Sequence, residues 1–191
     1  TGNEKTLQMC GIAGIYVKNN RGSNWLSFLP HATSALSRRG PDAQHIFTDE
    51  TVSLGHCRLT IIDLTEAADQ PMLDTSKRYC IVYNGEIFNY LMLREQLETV
   101  DAPFHTQSDT EVILRLYSKY GTDMLPMLNG YFAFAIYDTL KKTCFIARDR
   151  FGEKPVYYYE DENCLLFASE IKALLKFPIA KEIDPLALQE F

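Results

Sequence analysis

The chain has 191 residues, 46% of them hydrophobic and 23% charged, with a net charge of −6 at neutral pH and a pI near 5.2. This describes one soluble globular unit, long enough to bury a sizeable core and too short for two comfortable domains. The acidic balance, with no run of Lys or Arg, excludes a nucleic-acid or anionic-membrane surface and favours a small neutral or zwitterionic ligand.

Residues 1–9 are polar and aperiodic and end at Met9, so they read as a leader, a tag remnant or a short propeptide outside the fold. Residues 10–17 are Gly-punctuated and β-branched, a buried strand. A helix is expected over 30–38, with Pro30 in its first turn, and Gly40-Pro41-Asp42 ends it. Strands follow at 44–48, 52–62 and 78–84, then helices at 90–98 and 108–120. The second half returns to strands at 131–138, 143–148, 156–160 and 164–168 and closes with a helix over 169–176. Ser108 and Glu111 have the spacing of a capping box. Strands in two groups, without regular strand–helix alternation, predict an α+β layered sandwich rather than a doubly wound parallel sheet. The last residues look like the first turn of another helix, with Asp184 capping and Pro185 opening it, as if 181–191 led into a further domain.

The longest clean apolar run, 131–137, is far short of the roughly 20 residues of a membrane span, and the first residues lack a signal peptide's apolar centre. The chain therefore reads as cytoplasmic. Five cysteines without a C-x-x-C pair suggest neither a disulfide framework nor a zinc site, and His31, His45, His56 and His105 show no metal spacing. Cys57, Cys80, Cys144 and Cys164 lie in or beside β-rich apolar runs and are expected as small buried hydrophobes.

Cys10 differs because Met9 precedes it. As the first residue of a mature chain, a cysteine carries nucleophile and base together. A free α-amine, with a pKa of about 7.7–8.0, accepts the thiol proton directly or through water. Inside a peptide bond the same nitrogen is no base, so Cys10 behind nine residues should lack this activation.

Several motifs occur in order: Cys10-Gly11-Ile12-Ala13-Gly14, Arg38-Arg39-Gly40-Pro41-Asp42, Gly55-His56-Cys57-Arg58-Leu59-Thr60-Ile61-Ile62-Asp63, Gln70-Pro71-Met72 and Tyr83-Asn84-Gly85-Glu86. Ser108-Asp109-Thr110-Glu111, Gly130-Tyr131-Phe132-Ala133-Phe134-Ala135 and Arg148-Asp149-Arg150-Phe151-Gly152-Glu153-Lys154-Pro155 complete the series. Together they closely resemble the N-terminal glutaminase domain of glutamine-hydrolysing asparagine synthetases, class II glutamine amidotransferases of the N-terminal-nucleophile hydrolase superfamily. The resemblance covers residues 9–191, with 10–180 as the glutaminase domain. It implies a four-layer αββα sandwich of two mainly antiparallel sheets and hydrolysis of glutamine's side-chain amide to glutamate and ammonia.

The resemblance assigns Cys10 as nucleophile and Asn84 and Gly85 as the oxyanion hole. From the dipeptide alone, Asn84-Gly85 reads as a type I′ hairpin turn, and both hold if the turn carries the hole. Arg58 matches the arginine that pairs glutamine's α-carboxylate, where the rival reading is a solvated strand charge. Asp109 and Glu86 match positions holding the α-amino group, and Leu59, Thr60, Ile61 and Ile62 line the pocket through their backbone. A cap accounts for Ser108 and Glu111 but leaves Asp109 to the ligand. Arg39 is a weaker candidate for holding a lid.

No cofactor or metal is expected in this domain. The resemblance implies ATP and Mg for an ATP-pyrophosphatase-type synthetase domain, whose Ser-Gly-Gly-x-Asp-Ser phosphate loop is missing from these residues, and leaves room for a homodimer. The nitrogen acceptor is aspartate by this resemblance. The alternatives are another carboxylate, such as a sugar acid, or a non-catalytic glutamine-binding module whose nucleophile stays capped.

Overall fold

Alternation along the strands decides the layering. The structure, a computed structural model, describes residues 9–98 and 103–182; the expected leader (but for Met9) and the helix expected after 183 lie outside the described residues. On β5 (Tyr79–Ile87), Cys80 and Val82 point to one face and Ile81 and Tyr83 to the other; on β6 (Gly130–Asp138), Ala133, Ala135 and Tyr137 oppose Phe132, Phe134 and Ile136. A sheet apolar on both faces must be covered on both.

β4 (Met72–Leu73), β5, β6 and β7 (Thr143–Arg148) form one antiparallel sheet in that order. The second sheet has the order β2 (Ala43–Thr48), β3 (Val52–Arg58), β1 (Gly11–Val17), β9 (Cys164–Ala168) and β8 (Tyr157–Glu160), also antiparallel throughout. Ile12, Val52, Leu54 and Phe167 of this sheet meet Cys80, Val82, Ala133, Ala135 and Tyr137 of the other in the central core. Gly14 admits that packing, since a Cβ there would lie 2.2 Å from the Phe167 ring.

The outer faces are closed by helices. α1 (Leu29–Ser34) and the short α4 (Ile171–Leu174) cover Ala13, Ile15, Cys57 and Leu166, while α2 (Tyr90–Leu97) and α3 (Asp109–Tyr120) cover Ile81, Tyr83, Phe132 and Phe134. This is the expected α+β, four-layer αββα sandwich. Cys57, Cys80 and Cys164 are buried and Cys144 is half-buried; none is in a disulfide.

Several local expectations are corrected. The first helix ends at Ser34 and continues only as turns, and α4 is a single turn rather than eight residues. β3 stops at Arg58 instead of Ile62, because Arg58 is the last residue paired to β2 and the chain then leaves the sheet. Asn84-Gly85 is not a turn. β5 runs straight through it, with Asn84 opposite Ala133 and Gly85 opposite Phe132, so pairing with β6 overrides the dipeptide's turn preference.

One buried group ties the sheets together. His56 on β3 is almost fully buried and its Nε2 donates to the Tyr83 carbonyl of β5 at 3.1 Å, while Nδ1 has no partner among the described residues. Burial, with a smaller contribution from the Arg58 charge, pulls the imidazole down from 6.5 to about 3. The neutral ring is the folded form, so its stabilisation is complete above pH 6.5 and is lost as pH falls from 6.5 toward 3, a change on the order of 3–5 kcal/mol. His56→Gln is expected to flatten the fall in urea-unfolding stability between pH 6.5 and 5, a range above the carboxylate titrations. An unchanged slope would contradict this account.

Candidate active site

Cys10 stands immediately before β1, and its surroundings place it from the C-terminal side. Arg39 Nε donates to the Cys10 carbonyl at 2.9 Å and Arg39 Nη1 pairs with Glu170 at 3.2 Å. Ile12 is held on both backbone groups by Ser169, whose hydroxyl accepts from Ile12 N at 3.0 Å and whose N–H donates to Ile12 O at 2.9 Å. Arg39 therefore holds the carbonyl of Cys10.

The thiol faces the chain where it leaves β3: Leu59 N–H donates to Sγ at 3.3 Å, and Sγ lies 3.5 Å from Leu59 O. Burial raises the thiol's pKa above its usual value, opposed by the Leu59 N–H and the Arg58 charge. Neither a histidine nor a carboxylate hydrogen-bonds the sulfur among the described residues. A thiol so placed stays protonated at neutral pH unless a base is brought to it.

An open cleft lies beside Cys10. Arg58, Leu59, Ile61, Ile62, Gly85, Glu86 and Asp109 line it, so most of the residues picked from the sequence converge there. Thr60 and Asn84 do not line it. Thr60 N–H is spent on Asp42 Oδ2 at 2.8 Å, which holds the loop after β3. Asn84 is buried behind Gly85, and its Nδ2 is a buried donor with no partner among the described residues. Buried amides are rarely left so. Gly85 is required by space, since a Cβ there would lie 2.3 Å from the Tyr131 carbonyl oxygen.

The cleft carries charges of both signs. Arg58 is buried and spends three of its five N–H groups on the loop that follows: Nη1 donates to Thr65 O at 2.8 Å and to Asp69 Oδ1, and Nη2 donates to Asp63 O. The donor on Nε and one on Nη2 have no partner among the described residues, leaving a pair for an incoming carboxylate. The solvated-charge reading of Arg58 is thereby set aside.

Asp109, at the first position of α3, is buried; its Oδ2 accepts from Tyr83 Oη at 2.7 Å and Ile87 N at 3.0 Å. Burial raises its pKa, opposed by those two hydrogen bonds. Glu86 supplies an exposed carboxylate at the rim.

Ser108 caps α3 by accepting from Glu111 N at 3.4 Å. The return half of the box is displaced. Glu111 accepts instead from His105 N and Thr106 N, and although burial pushes its pKa up, these bonds hold it below the usual value. Gln107 N–H donates to Asp63 Oδ2 at 2.6 Å, joining the loop before α3 to the loop after β3 across the cleft.

Gln70, Tyr83, Asp63 and Asp69 gained no role from the sequence. Gln70 Oε1 accepts from Tyr83 N at 2.6 Å and Nε2 donates to Thr110 Oγ1 at 3.2 Å. Gln70, Tyr83 and Asp63 were signalled only by their place inside motifs and Asp69 by nothing, because their partners lie on other elements. Among the described residues no three His, Cys, Asp or Glu side chains are grouped to hold a metal, and no helix is long and apolar enough to cross a membrane.

Comparison with known proteins gives this site a lineage. The glutamine amidotransferase domain family matches residues 9–191. Asparagine synthetase [glutamine-hydrolyzing] 3 of Bacillus subtilis is 40% identical over 95% of the chain, and asparagine synthetase [glutamine-hydrolyzing] 2 of Arabidopsis thaliana is 38% identical over 87%. The chain spans only 30% and 28% of those two proteins. The solved glutamine phosphoribosylpyrophosphate amidotransferase of B. subtilis, at 22% identity, shares the fold with a TM-score of 0.70 over 92% of this chain and 46% of that one. With a thiol at the head of β1 beside a charged cleft and a match over residues 9–191, the chain belongs to the glutamine amidotransferase domain family.

Proposed function

We propose that this chain is the glutaminase part of a glutamine-hydrolysing asparagine synthetase. The observation that carries the reading is a thiol with a raised pKa and no side-chain base, at a position where release of its own α-amine would supply one. With Cys10 as first residue, the amine takes the thiol proton and the sulfur attacks the side-chain amide carbon of glutamine. Asn84 Nδ2 and the Gly85 N–H receive the oxyanion. The amine passes its proton to the leaving nitrogen, ammonia departs, and a thioester to Cys10 remains. Water, deprotonated by the same amine, then attacks the thioester, releasing glutamate and restoring the thiol.

Arg58 takes glutamine's α-carboxylate, and Asp109 and Glu86 hold its α-ammonium. Ammonia would pass to an ATP-activated aspartate on a synthetase domain of the full-length protein. The sequence has no Gly-rich phosphate loop, so ATP and Mg²⁺ do not fit this domain and are assigned to that partner. A different acceptor is the second reading, supported by two relatives named as amidases: chyE of Penicillium rubens, 34% identical over 91% of the chain, and chry2 of Gibberella zeae, 36% identical over 91%.

The test is glutamate release from glutamine by a chain beginning at Cys10, beside the same chain with residues 1–9 retained. Activity in the first alone is expected. Equal activity in both would mean that the α-amine is not the base.

A further inference from the structure

Asp69 is absent from the cleft lining, yet both of its carboxylate oxygens are committed to groups around it. Oδ1 accepts from Arg58 Nη1, and Oδ2 lies 3.0 Å from His45 Nε2 on β2, the edge strand of its sheet. Arg58 is the last residue of β3 and Asp69 follows the 3-10 turn of Glu66–Ala68, so the carboxylate ties the returning loop to two adjacent strands. The Arg58 side chain is 8% exposed and that of Asp69 20%, so the pair is shielded enough for geometry to matter. The other two bonds of the guanidinium go to the neutral carbonyls of Thr65 and Asp63; Asp69 alone among these acceptors is charged.

We infer that Asp69, braced by His45, is a positioning residue that turns the Arg58 guanidinium so that its two remaining donors face the cleft as a carboxylate-binding edge. This rests on Arg58 being the carboxylate partner of glutamine. Asp69 touches no substrate and acts by fixing the fork. Without it, the guanidinium is held only by the neutral carbonyls of Thr65 and Asp63, and the parallel two-bond geometry that distinguishes arginine from a point charge is loosened.

The test is calorimetric binding to the full chain carrying Cys10→Ala, which cannot react, with L-glutamine and with L-glutaminamide, whose α-carboxylate is replaced by a neutral amide. Adding Asp69→Ala is expected to weaken glutamine about tenfold or more, the scale of a misplaced bidentate contact, and to leave the amide's weaker binding unchanged. Asp69→Asn, which keeps an acceptor toward Arg58, should restore most of the glutamine affinity. Equal loss for both ligands would mark Asp69 as merely structural and overturn the inference, as would unchanged glutamine binding in Asp69→Ala. If the parent binds no glutamine, the reading of the cleft fails and the inference falls with it.

Discussion

Replacing Cys10 by serine in a chain that begins at residue 10 is expected to lower glutamine turnover by about 10⁴-fold or more, the scale of removing the nucleophile from groups that act as a unit. No other cleft group can substitute. Tyr83 gives its hydroxyl proton to Asp109, with a pKa pushed well above its usual value chiefly by burial, and Ser108 Oγ is occupied as the cap of α3. Serine keeps the shape of the site, so glutamine affinity measured by calorimetry should stay near that of the parent. A serine variant turning over at the parent's rate would remove Cys10 from the chemistry.

The second large effect is expected at Asn84. Asn84→Ala should reduce kcat by about 10²–10³-fold, the usual consequence of deleting one oxyanion donor, with KM for glutamine little changed. The expectation comes from a donor that nothing in the described structure uses: Nδ2 is buried without a partner. A group that makes no bond in the resting fold contributes little to folding, and its desolvation is a cost that alanine relieves. The variant should therefore be slow and at least as heat-stable as the parent. Steady-state kinetics and a thermal melt decide it: a less stable protein with full kcat would show that Asn84 serves the core.

How far these features can be read without coordinates depends on how local their causes are. The strands at 131–138, 143–148 and 164–168 follow from alternation within a few residues, and Ser108 announces its cap because donor and acceptor are three positions apart. Asn84-Gly85 shows the opposite case. Its local chemistry favours a reversal, but β6 offers a partner for every residue from Tyr79 to Ile87, and the ladder wins. Arg58, Asp69 and His45 are likewise illegible as a group, since each sits on a different segment and only the return of the loop after β3 brings them together. The motifs located the cleft; its hydrogen-bond connectivity came only from the fold.

The grip of Arg39 and Leu59 on Cys10 has a consequence for timing. Among the described residues the hydrogen bonds of Cys10 engage its carbonyl and its sulfur, while Lys154 Nζ reaches Met9 Sδ on the other side at 3.0 Å. Cutting the bond between Met9 and Cys10 would make one nitrogen basic and leave the bonds to the Cys10 carbonyl and sulfur intact. If Cys10 acts as proposed, assembly of the pocket and the switching-on of its reactivity are separable events, the first set by the fold and the second by one nitrogen.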